Sequence, residues 1–330
     1  MRAPGFWWEK PGVAAALLSP LARIYGAVAE RRLKQRGENA GIPVVCIGDP
    51  TVGGAGKTPT AIAVARLLIA ADRRPMFLTR GYGGTLAGPL MVGAPHTAAQ
   101  VGDEPLLLAR VAPTIVARDR VAGARHAREK GAGFIVMDDG FQNPSLAKDL
   151  SILVVDGVRG IGNGHVIPSG PLRAPFHAQL NRAQLLLILG EITGASPVAI
   201  GAGQREFPLI RAVLEPDREV VESLQGKRVL AFAGIGHPEK FFATLVAAGI
   251  EVPVRRAFPD HHRYRADEAA ALISEAEKNN LELVTTEKDL VRMQGDAGVA
   301  QLAAHARAIP VSLGKADEFN RLIRAALAAR

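Results

Sequence analysis

The sequence reads Thr51-Val52-Gly53-Gly54-Ala55-Gly56-Lys57-Thr58-Pro59 between a β-branched apolar run at residues 44–48 and an Ala-rich apolar run at residues 60–71. This order predicts a strand, a glycine-rich loop and a helix, the arrangement that binds the phosphates of a nucleotide. Glycines let successive backbone N–H groups turn toward an anion, and the helix N-terminus adds its dipole. The predicted nucleotide-binding residues are Gly53, Gly54, Ala55, Gly56, Lys57 and Thr58.

The last residues of this loop have separate predicted roles. Lys57 can reach the β- and γ-phosphates, and the Thr58 hydroxyl can ligate Mg²⁺. Pro59 fits the first helical turn, where its missing N–H costs nothing. The usual pattern begins with glycine, whereas Thr51 holds that position here. A glycine-rich turn that binds nothing is the alternative, but Gly-Lys-Thr at a strand-to-helix junction favours a phosphate loop.

Length, charge and cysteine content limit the class of protein. The chain has 330 residues, which favours two domains over one core. Its one cysteine, Cys46, lies in an apolar run, so the sequence predicts no disulfide framework and fits a reducing compartment. The net charge of +8 favours anionic partners. Aromatic residues make up only 5%, which argues against nucleic acid, and no obligate protein partner is evident.

The first forty residues combine aromatic, apolar and basic side chains. Trp7 and Trp8 precede an apolar stretch at residues 13–24 and an Arg-rich stretch at residues 25–36. The apolar stretch is shorter than the roughly 20 residues that span a bilayer. A signal peptide, a helix docked on the protein and an interfacial helix all fit this composition. We favour a membrane-associating segment at residues 1–40, with Trp among lipid headgroups and Arg facing anionic lipid.

Two acidic pairs lie beside apolar runs. Asp138 and Asp139 end the apolar run that begins at Phe134. In a nucleotide-binding sheet, an acid at this end of a strand holds Mg²⁺ near the phosphates, although the sequence does not decide which aspartate does so. Asp103 and Glu104 precede a helical run, where carboxylates often only cap the helix.

The chain divides into predicted units of different pattern. We predict a P-loop nucleotide-binding core domain at residues 41–205 and a two-stranded β connector at residues 206–226, which includes Val220-Val221. Strands and helices alternate through residues 227–330, which predicts a second, smaller α/β domain. The fold class is therefore α/β, with a P-loop NTPase-like parallel sheet. A Gly- and Pro-rich connection at residues 157–175 carries polar side chains suited to a substrate.

Together these segments resemble the tetraacyldisaccharide 4′-kinase family, the lipid A 4′-kinases of Gram-negative bacteria. The resemblance covers nearly the whole chain, and the family's loop also accepts threonine at the position of Thr51. The motifs that carry it are residues 52–59, Gly102-Asp103-Glu104-Pro105, residues 138–142, Gly162-Asn163-Gly164, residues 168–173, Gly234-Ile235-Gly236, Pro259-Asp260-His261 and Thr286-Glu287-Lys288-Asp289.

The resemblance implies transfer of the γ-phosphoryl group of ATP, with Mg²⁺, to the 4′-hydroxyl of an acylated glucosamine disaccharide lipid. It also implies a peripheral or monotopic position at the cytoplasmic face of the inner membrane. Asp103 matches the family's base, and His261 matches the histidine that pairs with it. The other implied site residues are Lys57 for catalysis, Lys288 on the nucleotide side, Thr58, Asp138, Asp139 and Glu104 for the metal, and Arg120, Gln142, Asn163 and Arg173 for the substrate.

Two residues of this chain depart from the family pattern, and two other functions remain as alternatives. The family commonly has His and Glu where this chain has Asn143 and Ala174, so these two positions cannot have the usual roles. A deviant P-loop switch ATPase shares the glycine pattern, but Val52 stands where that class needs its signature lysine. A kinase for a soluble metabolite is the other alternative, and the aromatic N-terminus argues against it. With Asp103 and His261 in different predicted domains, catalysis would depend on domain closure.

Overall fold

A computed structural model describes residues 3–204, 206–314 and 316–328. Arg205, the last residue of the predicted core domain, lies outside the described residues, as do the predicted domain ends at Met1 and Arg330. The strands are β1 (Val44–Gly48), β2 (Pro75–Thr79), β3 (Leu90–Met91), β4 (Thr114–Val116), β5 (Phe134–Asp138), β6 (Leu150–Asp156), β7 (Leu185–Leu189), β8 (Leu209–Pro216), β9 (Arg228–Ala233), β10 (Glu251–Ala257), β11 (Glu282–Thr286), β12 (Arg307–Ile309) and β13 (Val311–Gly314).

Helices cover both faces of the sheets that these strands form. They are α1 (Val13–Leu33), α2 (Lys57–Ala70), α3 (Ala98–Val101), α4 (Asp103–Ala109), α5 (Arg120–Glu129), α6 (Phe176–Leu180), α7 (Ser196–Gly203), α8 (Arg218–Ser223), α9 (Pro238–Ala247), α10 (Ala266–Lys278), α11 (Glu287–Met293), α12 (Ala300–His305) and α13 (Asp317–Ala328). Short 3₁₀ helices occur at Gly5–Trp8 and Ala297–Val299.

The larger sheet has nine strands in the order β13-β8-β7-β6-β1-β5-β2-β4-β3. Its strands run parallel except at the two edges, where β13 and β3 are antiparallel to their neighbours. In the centre, Val45 of β1 pairs with Val136 of β5 and with Leu150 of β6. All residues of these three strands are buried because layers of side chains cover the sheet on both faces.

This topology brings the predicted functional segments to one end of the strands of the larger sheet. The carboxyl ends of neighbouring parallel strands meet there, which is where open α/β sheets bind ligands. The phosphate loop follows the carboxyl end of β1 and enters α2 through Gly56, whose φ is 97°. A Cβ at Gly56 would lie 2.5 Å from Leu189 Cδ1, so the loop needs glycine at this point.

The second unit has a four-stranded parallel sheet in the order β10-β9-β11-β12. It has its own apolar layers: Phe232 packs with Leu272 on one face, and Phe242 packs with Ala231 on the other. The chain returns from this unit through β13, which pairs with β8 in the larger sheet. After it, Phe319 of α13 is buried against the larger sheet.

The predicted two-stranded connector was wrong. Leu209–Pro216 forms one strand, but it is part of the larger sheet, between β7 and β13. Val220 and Val221 lie in α8, where the Asp217 side chain accepts a hydrogen bond from the Val220 N–H and caps the helix. Two apolar β-branched residues were too short a pattern to distinguish one helical turn from a strand.

Helix α1 has two unlike faces. Small residues on one face, including Ala15, Ala22 and Gly26, are buried against the protein. The other face exposes apolar side chains to between 56% and 77% of their surface, namely Val13, Leu17, Leu21, Ile24 and Val28. By length and composition, α1 is long and apolar enough to cross a membrane, unlike the shorter stretch counted from the sequence.

Trp7 does not lie on that exposed face. Its side chain is buried, and its indole N–H donates a hydrogen bond of 3.0 Å to the carbonyl of Pro168. The Arg159 guanidinium lies 4.8 Å from the centre of the Trp8 ring. The prediction that Trp7 sits among lipid headgroups was therefore wrong, because this indole fills a protein contact instead.

Candidate active site

The phosphate loop holds a buried ion pair that the sequence analysis missed. Lys57 Nζ lies 2.7 Å from Asp49 Oδ2 and 3.8 Å from Asp139 Oδ1. Burial alone would lower the pKa of Lys57, but the carboxylates of Asp49 and Asp139 raise it above its usual value. Lys57 is therefore charged, and it is positioned at the loop by Asp49.

Arg173 connects this pair to the end of β5. Its guanidinium lies 3.1 Å from Asp49 Oδ1 and donates hydrogen bonds to Asp139 Oδ1 (3.1 Å) and to the Thr51 carbonyl (3.0 Å). The long connection at residues 157–175 thus reaches the phosphate loop through Arg173. A signal for Asp49 was present in the sequence, since this carboxylate directly follows the most central strand, β1.

Thr58 and Asp138 form a second contact beside the loop. The Thr58 hydroxyl donates a 3.1 Å hydrogen bond to Asp138 Oδ2, and Asp138 Oδ1 is buried without a hydrogen-bond partner. Burial, with the nearby Glu104 carboxylate, raises the pKa of Asp138 to about 7. A hydroxyl and an unpartnered carboxylate oxygen fit Mg²⁺, which takes few protein ligands when it is shared with phosphates.

No group of three or more metal-binding His, Cys, Asp or Glu side chains is present in the described ranges. Two of the predicted metal ligands form ion pairs instead: Asp139 with Arg173, and Glu104 with Lys288. Lys288 Nζ lies 2.6 Å from Glu104 Oε1 and joins the second unit to α4. Burial lowers the pKa of Lys288, but Glu104 and Asp103 together raise it well above its usual range. Thr58 and Asp138 are therefore the pair best placed for a metal.

Asp138→Asn should stabilise the metal-free protein. The raised folded pKa of Asp138 means that ionising this buried carboxyl costs stability as the pH rises from about 4 toward 7. At pH 8 we expect the neutral amide to raise the free energy of unfolding by about 1 to 3 kcal/mol. At pH 5 the gain should shrink, because the folded wild-type carboxyl is then protonated. Urea unfolding at both pH values measures this, and an equal gain at pH 5 and pH 8 would contradict it.

Asp103 and His261 meet where the two units face each other. Asp103 is the first residue of α4, and His261 lies between β10 and α10. His261 Nδ1 lies within hydrogen-bond distance, 3.2 Å, of Asp103 Oδ2, and Tyr82 packs against the imidazole with ring centres 5.1 Å apart. The hydrogen bond to Asp103 raises the pKa of His261. The structure thus brings together Asp103 and His261, the two side chains that the family resemblance pairs although they lie in different predicted domains.

Arg292 is a further neighbour that the sequence analysis missed. Its Nε lies 3.2 Å from Asp103 Oδ2, and the same guanidinium contacts Asp289. Burial raises the pKa of Asp103, but the hydrogen bond from His261 and the charges of Lys288 and Arg292 lower it well below its usual range. Asp103 is therefore ionised at neutral pH. The sequence contains only a weak indication of Arg292: this residue follows the Thr-Glu-Lys-Asp motif, three positions after Asp289 and so on the same side of a helix.

Two predicted substrate residues lie near the phosphate loop and the end of β5, Arg120 buried and Gln142 partly buried. Arg120 is 2% exposed, donates to the Ala117 carbonyl and leaves Nε without a partner. Burial lowers the pKa of Arg120 to about 10. Gln142 donates through Nε2 to the Asp49 carbonyl (2.8 Å) and to Gln179 Oε1 (3.0 Å). In this structure Gln142 supports the start of the phosphate loop.

Asn163 is engaged elsewhere. Its side-chain amide donates to the Ser169 carbonyl at 2.9 Å, and its backbone N–H donates to the Trp7 carbonyl at 2.8 Å. These contacts hold the N-terminal segment against the connection at residues 157–175. The structure does not bring Asn163 into the cluster around Lys57, and its role toward the substrate stays a prediction.

Two contacts show that the second unit lies against the phosphate loop and the end of β6. A Cβ at Gly236 would lie 3.5 Å from the Gly54 nitrogen, and Lys240 Nζ lies 2.7 Å from Asp156 Oδ2. A cavity of about 340 Å³ opens beside Asp103 and His261, and its lining includes Arg263. The arrangement can hold a triphosphate at the loop and admit a second molecule to the Asp103–His261 pair.

A family model described as tetraacyldisaccharide-1-P 4′-kinase matches residues 14–328 of the chain. The chain belongs to the tetraacyldisaccharide 4′-kinase family. A relative of that name from Rhodopseudomonas palustris (strain BisA53) is 52% identical over 332 residues, covering 100% of this chain and 97% of the relative. Another, from Methylobacterium sp. (strain 4-46), is 54% identical over 331 residues, covering 100% of this chain and 98% of the relative.

A solved structure of the same kinase family has the same fold. The crystal structure of LpxK from Aquifex aeolicus in complex with ATP matches with a TM-score of 0.70 at 24% identity. The match covers 94% of this chain and 99% of that chain. It confirms the predicted α/β fold with a P-loop NTPase-like core and a second domain. The resemblance found in the sequence is confirmed as well, and the kinase family does not favour the switch ATPase alternative.

Proposed function

We propose that this chain transfers the γ-phosphoryl group of ATP to the 4′-hydroxyl of a tetraacylated glucosamine disaccharide 1-phosphate. The observation that carries the proposal is the Asp103–His261 contact of 3.2 Å beside a phosphate loop, in a chain that matches this kinase family over residues 14–328. Phosphoryl transfer requires positioning, charge neutralisation and a base, with little covalent chemistry. The described side chains supply each of these three requirements.

The phosphate side of the reaction is assigned to the loop. Lys57 neutralises charge on the β- and γ-phosphates, and Arg173 adds a second cation close to the same loop. Thr58 and Asp138 would hold Mg²⁺, which supplies further charge neutralisation when it is bound. Asp49 keeps the Lys57 ammonium at the loop before the nucleotide arrives.

The acceptor side is assigned to Asp103 and His261. Asp103 is ionised and hydrogen-bonded, so it can orient the incoming hydroxyl and the imidazole together. A carboxylate with a lowered pKa is a weak base on its own, whereas the pKa of His261 is raised. We assign the hydroxyl proton to this pair as a unit, with His261 able to hold it. Because the two residues come from different units, the pair forms only when the units are closed.

We also propose that the enzyme works as a peripheral or monotopic protein at the cytoplasmic face of the inner membrane. The support is the exposed apolar face of α1 together with the basic residues near its end, including Arg31 and Arg32. Such a helix lies in the membrane interface with its apolar face buried and its cations near anionic headgroups. An acylated substrate would be reached from this position without leaving the bilayer.

Leu17→Asp combined with Leu21→Asp should weaken binding to vesicles that contain anionic lipid. Burying one leucine is worth about 1.5 to 3 kcal/mol, so we expect at least about a tenfold loss in binding. The matched control is Ile200→Asp, which changes a 61% exposed isoleucine on α7. Vesicle flotation measures the bound fraction. Equal losses in the control and in the α1 variant would contradict the assignment of this face.

The substrate assignment is tested with three acceptor conditions. Wild-type enzyme is given ATP and the acylated disaccharide 1-phosphate in detergent, ATP with the unacylated disaccharide, or ATP alone. The proposal predicts a bisphosphorylated lipid in the first condition and much lower turnover in the others. Full activity on the unacylated disaccharide would favour a soluble-metabolite kinase, and hydrolysis without any acceptor would favour a switch ATPase.

A further inference from the structure

We propose that Arg292 is a positioning residue for phosphoryl transfer, because its guanidinium fixes the Asp103 carboxylate against His261. The inference rests on the proposed kinase function. Arg292 donates to Asp103 Oδ2 through Nε at 3.2 Å and through the adjacent terminal nitrogen. The side chains of Arg292 and Asp103 are only 6% and 4% exposed, so solvent does little to weaken this contact.

The other end of the guanidinium is anchored inside the second unit. The remaining terminal nitrogen of Arg292 donates to Asp289 Oδ1 at 2.8 Å and to the carbonyls of Gly234 and His262 at 3.2 Å each. Asp289 is fully buried and accepts further hydrogen bonds from the Gly234 N–H and the Tyr264 hydroxyl. Arg292 is therefore held in one orientation before it meets Asp103.

The two donors that the guanidinium directs at one oxygen explain why an arginine serves here. Asp103 comes from α4 of the larger unit, whereas His261 and Arg292 come from the second unit. Oδ2 of Asp103 accepts from both of these partners, and Oδ1 accepts from the Glu104 N–H at 3.0 Å. Because both of its donors meet Oδ2, the guanidinium fixes that oxygen beside the imidazole at two points, whereas a single ammonium acts as a point charge. Loss of Arg292 would leave the carboxylate free to turn away from the imidazole.

A merely structural role for Arg292 makes a different prediction. In that case Arg292 would only hold the two units together, as Lys240 does through its ion pair with Asp156. Lys240 therefore provides a matched control, since its ion pair also crosses between the units but does not contact Asp103. A positioning role requires that loss of Arg292 act on the chemical step and that loss of Lys240 not do so.

The experiment compares Arg292→Met, Arg292→Lys and Lys240→Met in the full-length enzyme with ATP and the disaccharide lipid. Small displacements of a catalytic group can cost about a hundredfold in rate, so we expect Arg292→Met to lower kcat by about that factor. KM for both substrates should change by less than about threefold, since the Arg292 side chain is only 6% exposed and its hydrogen bonds are made to the protein. Arg292→Lys, which keeps the charge, should recover about tenfold of the loss, and Lys240→Met should keep kcat within about twofold.

A double variant tests whether the effect passes through Asp103. Arg292→Met should cause no further loss in an Asp103→Asn background, because residues that act as a unit are not additive. A kcat for Arg292→Met within about threefold of wild type, or additive losses, would overturn the inference. So would a loss in Lys240→Met equal to that in Arg292→Met.

Thermal unfolding and ATP binding are measured for every variant. If Arg292→Met does not fold, Arg292→Gln replaces it with the same expected loss of kcat, because its amide reaches only as far as the arginine Nε and carries no charge. Wild-type enzyme that forms no product would overturn the proposed function itself. Active wild type with unimpaired Arg292 variants would overturn only the role of Arg292.

Discussion

Lys57→Met is expected to lower the turnover of the disaccharide lipid by about a thousandfold or more, because a preorganised donor to the transferred phosphoryl group is lost. In the structure the Lys57 ammonium lies at the phosphate loop, held 2.7 Å from Asp49 Oδ2. Methionine keeps the unbranched shape and most of the length of the side chain while it removes the charge. Transfer of labelled γ-phosphate from ATP to the lipid measures the effect.

This substitution also leaves Asp49 with one cation fewer. Asp49 is fully buried, and Arg173 at 3.1 Å would be its remaining ion-pair partner among the described residues. Breaking a buried ion pair from one side destabilises a protein by about 3 to 5 kcal/mol. The control is therefore the double variant Lys57→Met with Asp49→Asn, which removes both charges. We expect it to recover stability and to remain inactive, and turnover within tenfold of wild type would contradict the role of Lys57.

Asp103→Asn is expected to lower kcat at least tenfold, and by as much as about 10⁴-fold, with ATP binding retained. Asparagine keeps an oxygen that can accept from Arg292, so the contact between the units can persist while the negative charge is lost. Single-turnover kinetics with saturating ATP separates the chemical step from binding. Wild-type turnover in this variant would rule out the base assignment.

Substitution of His261 also tests the base assignment. If Asp103 and His261 take the proton as a pair, His261→Ala should cost about as much as Asp103→Asn, and the double variant should cost little more. His262 is the matched control, because it is adjacent in sequence but contacts Glu268 at 2.8 Å. His262→Ala should leave kcat within about threefold. Independent, multiplying losses in the double variant would contradict a shared role.

The sequence predicted the parts of the site that depend on local order along the chain. A phosphate loop is one continuous stretch, so its strand, its glycines and Lys57 could be recognised without the fold. Asp138 could be placed near it because parallel strands bring their carboxyl ends to one edge. The contact between Asp103 and His261 was expected only through the family resemblance, since 158 residues separate them.

Residues whose position depends on tertiary packing were missed or misplaced. Arg292 carries no recognisable motif of its own, and its importance appears only when α11 and α4 pack together. Val220 and Val221 have strand-like side chains, but the cap from Asp217 decides for a helix. Trp7 is of the residue type typical of a membrane anchor, yet its indole N–H donates a hydrogen bond to the Pro168 carbonyl. In each case a single long-range or capping contact outweighs the local pattern.

The proposed function is tested by identifying the atom that receives phosphate from ATP. Wild-type enzyme is incubated with γ-labelled ATP and the acylated disaccharide 1-phosphate, and the purified lipid is analysed by mass spectrometry and phosphorus NMR. We expect one additional phosphate per disaccharide, carried on the 4′-oxygen, and about a thousandfold less of this product with Lys57→Met over the same time. Label released only as inorganic phosphate, or found on any other oxygen of the lipid, would contradict the proposed function.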